Sequence, residues 1–132
     1  FFRAALEHLS AEAPDAHEGG PRRHLLAVSS ILARIGVAGY SGYCASKAGV
    51  SGLVRAMAAE LAPLNVQVNA VAPGWVDTDM AREGLDGMAA AMGIGQAEAL
   101  AIAMKDVPLG RMGRPEEIAG LVAWLTSADA RA

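Results

Sequence analysis

Tyr43 and Lys47 are the two residues whose types and spacing point most directly to chemistry. They lie four positions apart in the segment GYSGYCASKAGVSGLV, residues 39–54, whose other members are mostly small. On a helix this spacing places both side chains on one face, one turn apart. A free tyrosine hydroxyl titrates at about 10 and is a poor acid or base at neutral pH, but a neighbouring ammonium favours its ionised form. The pair therefore has the chemistry that general acid–base catalysis needs.

Ser30 is a third candidate. It follows the apolar run HLLAVS, which is bounded by turn signals and which we predict to be a buried strand over 24–29. Open parallel sheets bind ligands at the carboxyl ends of their strands, and the helix that carries Tyr43 must begin near that edge. We therefore expect Ser30 and Tyr43 to converge on one substrate oxygen. Each pattern is weak alone, because Tyr-x-x-x-Lys also occurs as an exposed helical pair and serine is a common turn residue.

The elements that must position these residues alternate helices with short apolar strands. Periodicity predicts one or two short helices over 79–106, strands over 24–29 and 66–71, and longer helices over 1–12, 42–62 and 114–125. This order is typical of an α/β fold with a parallel sheet. Two strands do not make a stable sheet of this kind alone, and helical periodicity is already present at the first residue. We therefore expect the chain to be a fragment of a longer protein.

Two of the predicted helices have an apolar face that we expect to lie in the core. The face comprises Ile118, Leu121, Val122 and Leu125 in the 114–125 helix, and Val50, Leu53, Val54, Met57 and Leu61 in the 42–62 helix. The longer helix also carries a surface of alanine and glycine. Its glycines Gly49 and Gly52 each cost about 1 kcal/mol of helix propensity relative to alanine, and close approach of another helix or a ligand is a reason to tolerate that cost.

Composition excludes several classes of function. The 132 residues are 53% apolar and 19% charged, which is typical of one globular domain. The net charge of −3 with no basic run disfavours nucleic-acid binding, and the apolar runs are too short to cross a membrane. The single cysteine, Cys44, cannot form an internal disulfide and no secretory signal is visible, so we expect a cytoplasmic protein. His8, His17 and His24 lack metal-ligand spacing, so no metal is expected.

Four motifs in a fixed order, together with the spacing from Ser30 to Tyr43, are far more specific than any of these patterns alone. VSS ends the first strand, Tyr43 follows Ser30 by thirteen residues within YCASKAG, and NVQVNAVAPGWVDTDM and PLGRMGRPEEIA come next. Together they resemble the C-terminal half of a short-chain dehydrogenase/reductase, over nearly the whole chain. The resemblance implies a Rossmann-type, doubly wound parallel sheet, of which residues 1–132 would be the catalytic portion.

The resemblance also implies an activity and the residues that carry it. Family members bind NAD or NADP and transfer a hydride between the nicotinamide and a ketone or secondary alcohol. By position, Tyr43 would be the general acid and base. Lys47 would stabilise its ionised form and bind the nicotinamide ribose, and Ser30 would hold the substrate oxygen.

Further cofactor contacts are implied at the turn that follows the second strand. Pro73 and Gly74 would let the backbone pass close to the cofactor, although the pair is also compatible with a simple tight turn. Val76 would contact the nicotinamide carboxamide through its backbone. Thr78 would offer a hydroxyl near the carboxamide or the pyrophosphate.

Residues 79–106 fall where the family carries a variable substrate lid. An apolar lid over an acyl chain, as in a 3-oxoacyl substrate, is one interpretation, and ordinary helix packing is the other. The segment's large apolar residues are Met80, Leu85, Met88, Met92, Ile94, Leu100, Ile102 and Met104. Arg111 and Arg114 belong to a stretch that the family has regardless of substrate, so we expect a structural role for them.

Several family features have no counterpart in these residues. The glycine-rich phosphate loop, the residue that separates NAD from NADP, the catalytic asparagine and the last strand are all absent. The helices over 1–12 and 42–62 resemble the pair through which family members form dimers, so a homodimer or homotetramer is expected of the intact protein. The alternative is an inactive interaction module derived from the family. A serine hydrolase is disfavoured because no Gly-x-Ser-x-Gly elbow surrounds Ser30.

Overall fold

The computed structural model describes residues 22–130 of the chain. Its helices and strands, in chain order, are β1 (Arg23–Val28), α1 (Ser41–Leu61), β2 (Val66–Val71), α2 (Asp79–Met92), α3 (Gln96–Met104) and α4 (Pro115–Leu125). Short 3-10 turns at Ile31–Ala33 and Ala62–Leu64 flank α1. The predicted helix over 1–12 lies outside the described residues, and so do His8 and His17.

β1 and β2 form a parallel pair, in register from Arg23 opposite Val66 to Val28 opposite Val71. Parallel neighbours need a long crossover connection, and α1 lies within that connection. The predicted α/β fold with a parallel sheet is thus confirmed, and both predicted strands are present to within one residue. The N–H of Ser29 donates to the carbonyl of Val71 at 2.8 Å, so the pairing continues one residue past β1.

A hydrophobic core lies between α1 and the sheet. It is formed by Val54, Met57 and Leu61 of α1 together with Val66 and Val68 of β2. The predicted apolar face was wrong at Leu53, whose side chain is 40% exposed. Leu53 precedes Val54 by one residue and therefore points about 100° away from it around the helix.

α1 ends where the sequence predicts. Pro63 lies in the 3-10 turn that follows the helix, and Asn65 adopts a left-handed conformation with φ of 54° before β2 begins. Asparagine tolerates this conformation better than most residues. The turn brings the chain back to the start of the sheet, where the Asn65 carbonyl accepts the Arg23 N–H at 3.3 Å.

The described residues divide into two compact units, residues 22–72 with 128–130, and residues 73–127. In the second unit α2 packs against α3, in agreement with the prediction of one or two short helices over 79–106. The predicted core face of α4 was wrong at Leu121, which is 45% exposed.

Within residues 22–130, no helix taken singly has the length and apolar content to cross a membrane. α2 and α3 have the required length and apolar content only when they are taken together, and a bend of 107° separates them.

Candidate active site

Ser29 and Ser30 follow β1 directly, and both are buried, with 3% and 7% of their surface exposed. Ser30 is the N-cap of the 3-10 turn at Ile31–Ala33, because its Oγ accepts the N–H of Leu32 at 3.2 Å. A serine hydroxyl has one proton and two acceptor lone pairs. The cap uses one lone pair, so the Ser30 proton can still be donated to an oxygen that approaches.

Tyr43 lies in the first turn of α1, which begins at Ser41. Its side chain is 40% exposed, so a ligand can reach it. The ring of Tyr40 meets that of Tyr43 edge to face, with centroids 6.5 Å apart and an interplanar angle of 83°. This arrangement is one that aromatic pairs favour, and it restricts how the Tyr43 ring can turn.

Lys47 shares the face of α1 that carries Tyr43, as the spacing predicts. Its Nζ lies 5.6 Å from the centroid of the Tyr43 ring. The same ammonium donates to the carbonyl of Val28, the last residue of β1, at 3.0 Å. A cation over an aromatic ring is attracted by the ring's quadrupole, so both contacts hold the ammonium close to Tyr43.

Two serines that the sequence interpretation did not single out complete this cluster. Ser29 Oγ lies 2.9 Å from the backbone oxygen of Lys47 and 2.8 Å from Ser51 Oγ. Ser51 Oγ in turn donates to the Lys47 carbonyl at 3.1 Å. The available signal was the repeat of four residues from Tyr43 to Lys47 to Ser51, which places all three on one face of α1.

Cys44 is adjacent to Tyr43 in the chain but contacts a different region. Its Sγ lies 3.8 Å from the carbonyl oxygen of Ile35, and the residue is half-buried. Among residues 22–130, no group of His, Cys, Asp and Glu side chains could hold a metal ion.

The cofactor residues predicted at the turn after β2 lie in the second unit, where residues 75–77 pair with Gly113. Gly113 donates its N–H to the Trp75 carbonyl at 2.9 Å and accepts the Asp77 N–H at 2.8 Å. Successive residues of an extended segment present their peptide groups to opposite sides. The N–H and C=O of Val76 therefore face away from Gly113, and the Val76 N–H can meet a ligand.

Thr78 caps α2. Its Oγ1 accepts the N–H of Ala81 at 3.3 Å and donates to the Val76 carbonyl at 3.3 Å. The hydroxyl proton is thus engaged within the turn, and one lone pair is left to accept from a ligand amide. Its cofactor contact, like that of Val76, stays a prediction.

The space beside Gly74 is open, as it is at most of the glycines that the structure describes. A Cβ built on it would meet no heavy atom within 4 Å. Its φ is not among the positive values, so the backbone conformation does not require glycine. Neither crowding nor strain therefore requires a glycine here, and close approach of a cofactor to the Pro73–Gly74 backbone stays a prediction.

Arg111 and Arg114 contact Glu117, which supports their predicted structural role. Arg111 makes a bidentate ion pair with the Glu117 carboxylate, with distances of 2.9 and 2.8 Å, and the Arg114 N–H donates to the same group at 2.7 Å. These bonds lower the pKa of Glu117 to about 2, the hydrogen bond from Arg111 being the largest cause. The hydrogen bond to Glu117 also raises the pKa of Arg111.

Comparison with known proteins identifies relatives for almost the whole chain. The family model described as Enoyl-(Acyl carrier protein) reductase matches residues 3–132. The 3-oxoacyl-[acyl-carrier-protein] reductase FabG of Pseudomonas aeruginosa is 42% identical over 103 residues, which are 78% of this chain and 37% of that protein.

Solved structures give the same picture. A short chain dehydrogenase family protein from Francisella tularensis is 33% identical, with a TM-score of 0.76 over 81% of this chain and 44% of its own. NAD+-bound xylitol dehydrogenase is 26% identical, with a TM-score of 0.75 over 81% of this chain and 43% of its own. The chain spans about two-fifths of the length of these relatives.

Proposed function

Since this chain belongs to the short-chain dehydrogenase/reductase family, we propose that it carries the catalytic residues of an NAD- or NADP-dependent oxidoreductase. The reaction would interconvert a ketone and a secondary alcohol. The observation that carries the proposal is the position of the Lys47 ammonium, 5.6 Å from the centre of the exposed Tyr43 ring. A phenol beside an ammonium, on a face that a ligand can reach, is suited to donate and accept a proton.

Three side chains would act on the substrate oxygen. Ser30 would donate its free proton to the carbonyl oxygen and hold it in place. Tyr43 would give its hydroxyl proton to the same oxygen as the alkoxide forms, and in the oxidation direction its phenolate would take that proton back. Lys47 would stabilise the phenolate through its positive charge. The bound nicotinamide supplies or accepts the hydride.

Two features of the second unit support a dinucleotide site there. Gly74 has open space where a side chain would stand, and the Val76 N–H faces away from its bridge to Gly113. We propose that Pro73 and Gly74 admit the cofactor against the backbone, and that Val76 and Thr78 bind the carboxamide end. In the first unit, the Lys47 ammonium would donate to the ribose hydroxyls of a bound nicotinamide cofactor.

We propose that the substrate is an apolar ketone, for example a 3-oxoacyl thioester. Met80 and Met92 of α2 are 74% and 52% exposed, and Leu100 and Ile102 of α3 are 39% and 40% exposed. Methionine adapts its shape to irregular apolar ligands. The curated relative named above acts, by its name, on 3-oxoacyl groups.

The rest of the proposal concerns the whole polypeptide. Its relatives are more than twice as long as the matched segment, so we propose that residues 1–132 are the catalytic portion of one Rossmann-type domain. The phosphate-binding loop, the catalytic asparagine and the last strand would lie outside them. We further propose a cytoplasmic homodimer or homotetramer that binds neither nucleic acid nor membrane.

The test is an absorbance assay of the complete native polypeptide that contains this chain. NADH and NADPH would be offered separately with acetoacetyl-coenzyme A, and NAD and NADP with xylitol as a polar polyol. Cofactor-dependent reduction of the thioester, with little turnover of the polyol, is the expected result. Preference for the polyol would contradict the apolar substrate. If the protein neither binds nor oxidises either dinucleotide, the inactive interaction module is the better description.

A further inference from the structure

The end of β1 holds Lys47 at two separate points. The Val28 carbonyl accepts the Lys47 ammonium at 3.0 Å, and Ser29 Oγ lies 2.9 Å from the Lys47 backbone oxygen. Consecutive residues of the sheet edge therefore contact both the backbone and the charged end of one helical residue. A lysine side chain has a flexible four-carbon stem, so the place of its ammonium depends on how such contacts restrict both ends.

The contact through Ser29 is buried. Ser29 is 3% exposed, and its oxygen also lies 2.8 Å from Ser51 Oγ, which itself lies 3.1 Å from the Lys47 oxygen. Three oxygens thus form a triangle that contains only two hydroxyl protons. Since each contact needs one proton, two of the three are hydrogen bonds at any moment. Removing a hydroxyl from this triangle leaves a single bond, and its position depends on which serine is changed.

The two serines consequently differ in what they connect. Without the Ser51 hydroxyl, Ser29 still donates to the Lys47 carbonyl and α1 stays joined to the end of β1. Without the Ser29 hydroxyl, Ser51 still donates to that carbonyl, but this bond lies within α1. The cross-link from the sheet edge to the Lys47 backbone is then lost.

We propose that Ser29 is a positioning residue that sets where the Lys47 ammonium stands beside Tyr43. The inference rests on the proposed role of Lys47 in the reaction. Ser29 does not touch substrate or cofactor in this scheme, and it acts only through the backbone of Lys47. Small displacements of a catalytic group are costly, since about 1 Å can reduce the rate on the order of 100-fold.

The experiment compares Ser29→Ala with Ser51→Ala in the complete native polypeptide. Each variant removes one hydroxyl from the same triangle, so we expect similar decreases in melting temperature. We expect Ser29→Ala to reduce kcat at least about tenfold and to weaken dinucleotide binding, measured by fluorescence without substrate. Ser51→Ala should change both by less than about threefold. Ser29→Thr, which restores a hydroxyl, should recover part of the loss.

A double-mutant cycle with Lys47→Ala separates positioning from general destabilisation. If Ser29 acts through Lys47, Ser29→Ala should reduce kcat no further once Lys47 is already alanine. Equal effects in both backgrounds, or equal effects of the two serine variants, would overturn the inference. If Lys47→Ala itself leaves turnover and cofactor binding intact, it is the proposed function that fails.

If Ser29→Ala does not fold, a second variant can still test the inference. Ser29→Cys retains the size of the side chain and has only a weak donor, so it should give the same direction of change as alanine. In the cofactor-free protein, NMR of the Lys47 ammonium should show a shifted resonance in Ser29→Cys and an unchanged one in Ser51→Ala. An unchanged Lys47 resonance in a folded Ser29→Cys protein would contradict the positioning role.

Discussion

The ammonium of Lys47 lies over the face of the Tyr43 ring, 5.6 Å from its centroid. The contact joins two adjacent turns of α1, and Tyr43, in the first turn, is 40% exposed. In the proposed reaction, Tyr43 would supply the proton that is transferred, and Lys47 would supply a positive charge beside it.

Tyr43→Phe should reduce kcat by a factor on the order of 10²–10⁴, because the variant has no proton to transfer. Dinucleotide binding should remain, since the aromatic ring is kept. Tyr40→Phe is the matched control: this tyrosine is equally exposed, at 41%, and stacks against Tyr43, yet it has no proposed chemical role. Steady-state kinetics that show equal turnover for both variants would contradict the assignment of Tyr43.

Lys47→Ala should weaken dinucleotide binding and turnover together. A hydrogen bond to a charged group contributes about 1.5–3 kcal/mol, which corresponds to roughly 10- to 100-fold in affinity. Lys47→Arg keeps the charge but replaces a compact ammonium with a planar fork, so it should restore binding only in part. Titration of the protein with NADH and NADPH by fluorescence provides the measurement, and an unchanged dissociation constant in Lys47→Ala would be the contrary result.

Gly74→Val should raise the dissociation constant of the dinucleotide without lowering the melting temperature. The added side chain would enter space that contains no protein atom within 4 Å of the first added carbon. Gly87→Ala, within α2, is the control, since its Cβ also meets open space but in a helix that has no proposed cofactor contact. Normal cofactor affinity in Gly74→Val would remove the reason to place the dinucleotide against this turn.

The ion pair of Glu117 with Arg111 should make stability depend on acidity. The folded-state pKa of Glu117 is lowered from 4.5 to about 2, so the group contributes stability that is present above pH 4.5. That contribution should be lost as the pH falls from 4.5 through about 2, where the carboxylate becomes protonated in the folded state as well. Urea unfolding at several pH values should show Glu117→Gln converging with the unmodified protein across this range. Glu116→Gln, its neighbour in the first turn of α4, is the control and should show a smaller change.

Met57→Ala should destabilise the protein by about 2–5 kcal/mol, because Met57 is 3% exposed and fills the space between α1 and the sheet. Leu53→Ala, on the same helix but 40% exposed, should cost less than about 1 kcal/mol. Urea denaturation of both variants in the complete polypeptide measures the difference. Equal losses would mean that Leu53 is covered in the complete protein by something other than the residues described.

Several parts of the fold could be predicted because the signal is local. The run VQVNAV gives β2 its exact span of Val66–Val71, since branched residues alternate between Asn65 and the turn that follows. Pro63 marks the end of α1 because proline cannot continue a helix beyond its first turn. The face shared by Tyr43 and Lys47 follows from helical geometry alone.

Other parts could not be predicted from periodicity. Leu53 and Leu121 have the spacing of core residues, but both are exposed. The spacing of an apolar stripe does not determine how much of the helix circumference is covered by neighbouring elements. Ser29 and Ser30 are consecutive serines after a strand. Nothing in their order says that Ser29 contacts α1 while Ser30 caps the next turn.

The amino-acid sequence by itself determined the family, the parallel α/β fold and the identity of Ser30, Tyr43 and Lys47 as candidates, because each depends on residue types at fixed spacings. The tertiary structure alone decided which atoms meet: the Lys47 ammonium with the Val28 carbonyl, and the Ser29 hydroxyl with the Lys47 backbone. Those contacts depend on how α1 lies on the sheet. That placement results from many small packing interactions between residues distant in the chain, so it cannot be derived from a local sequence pattern.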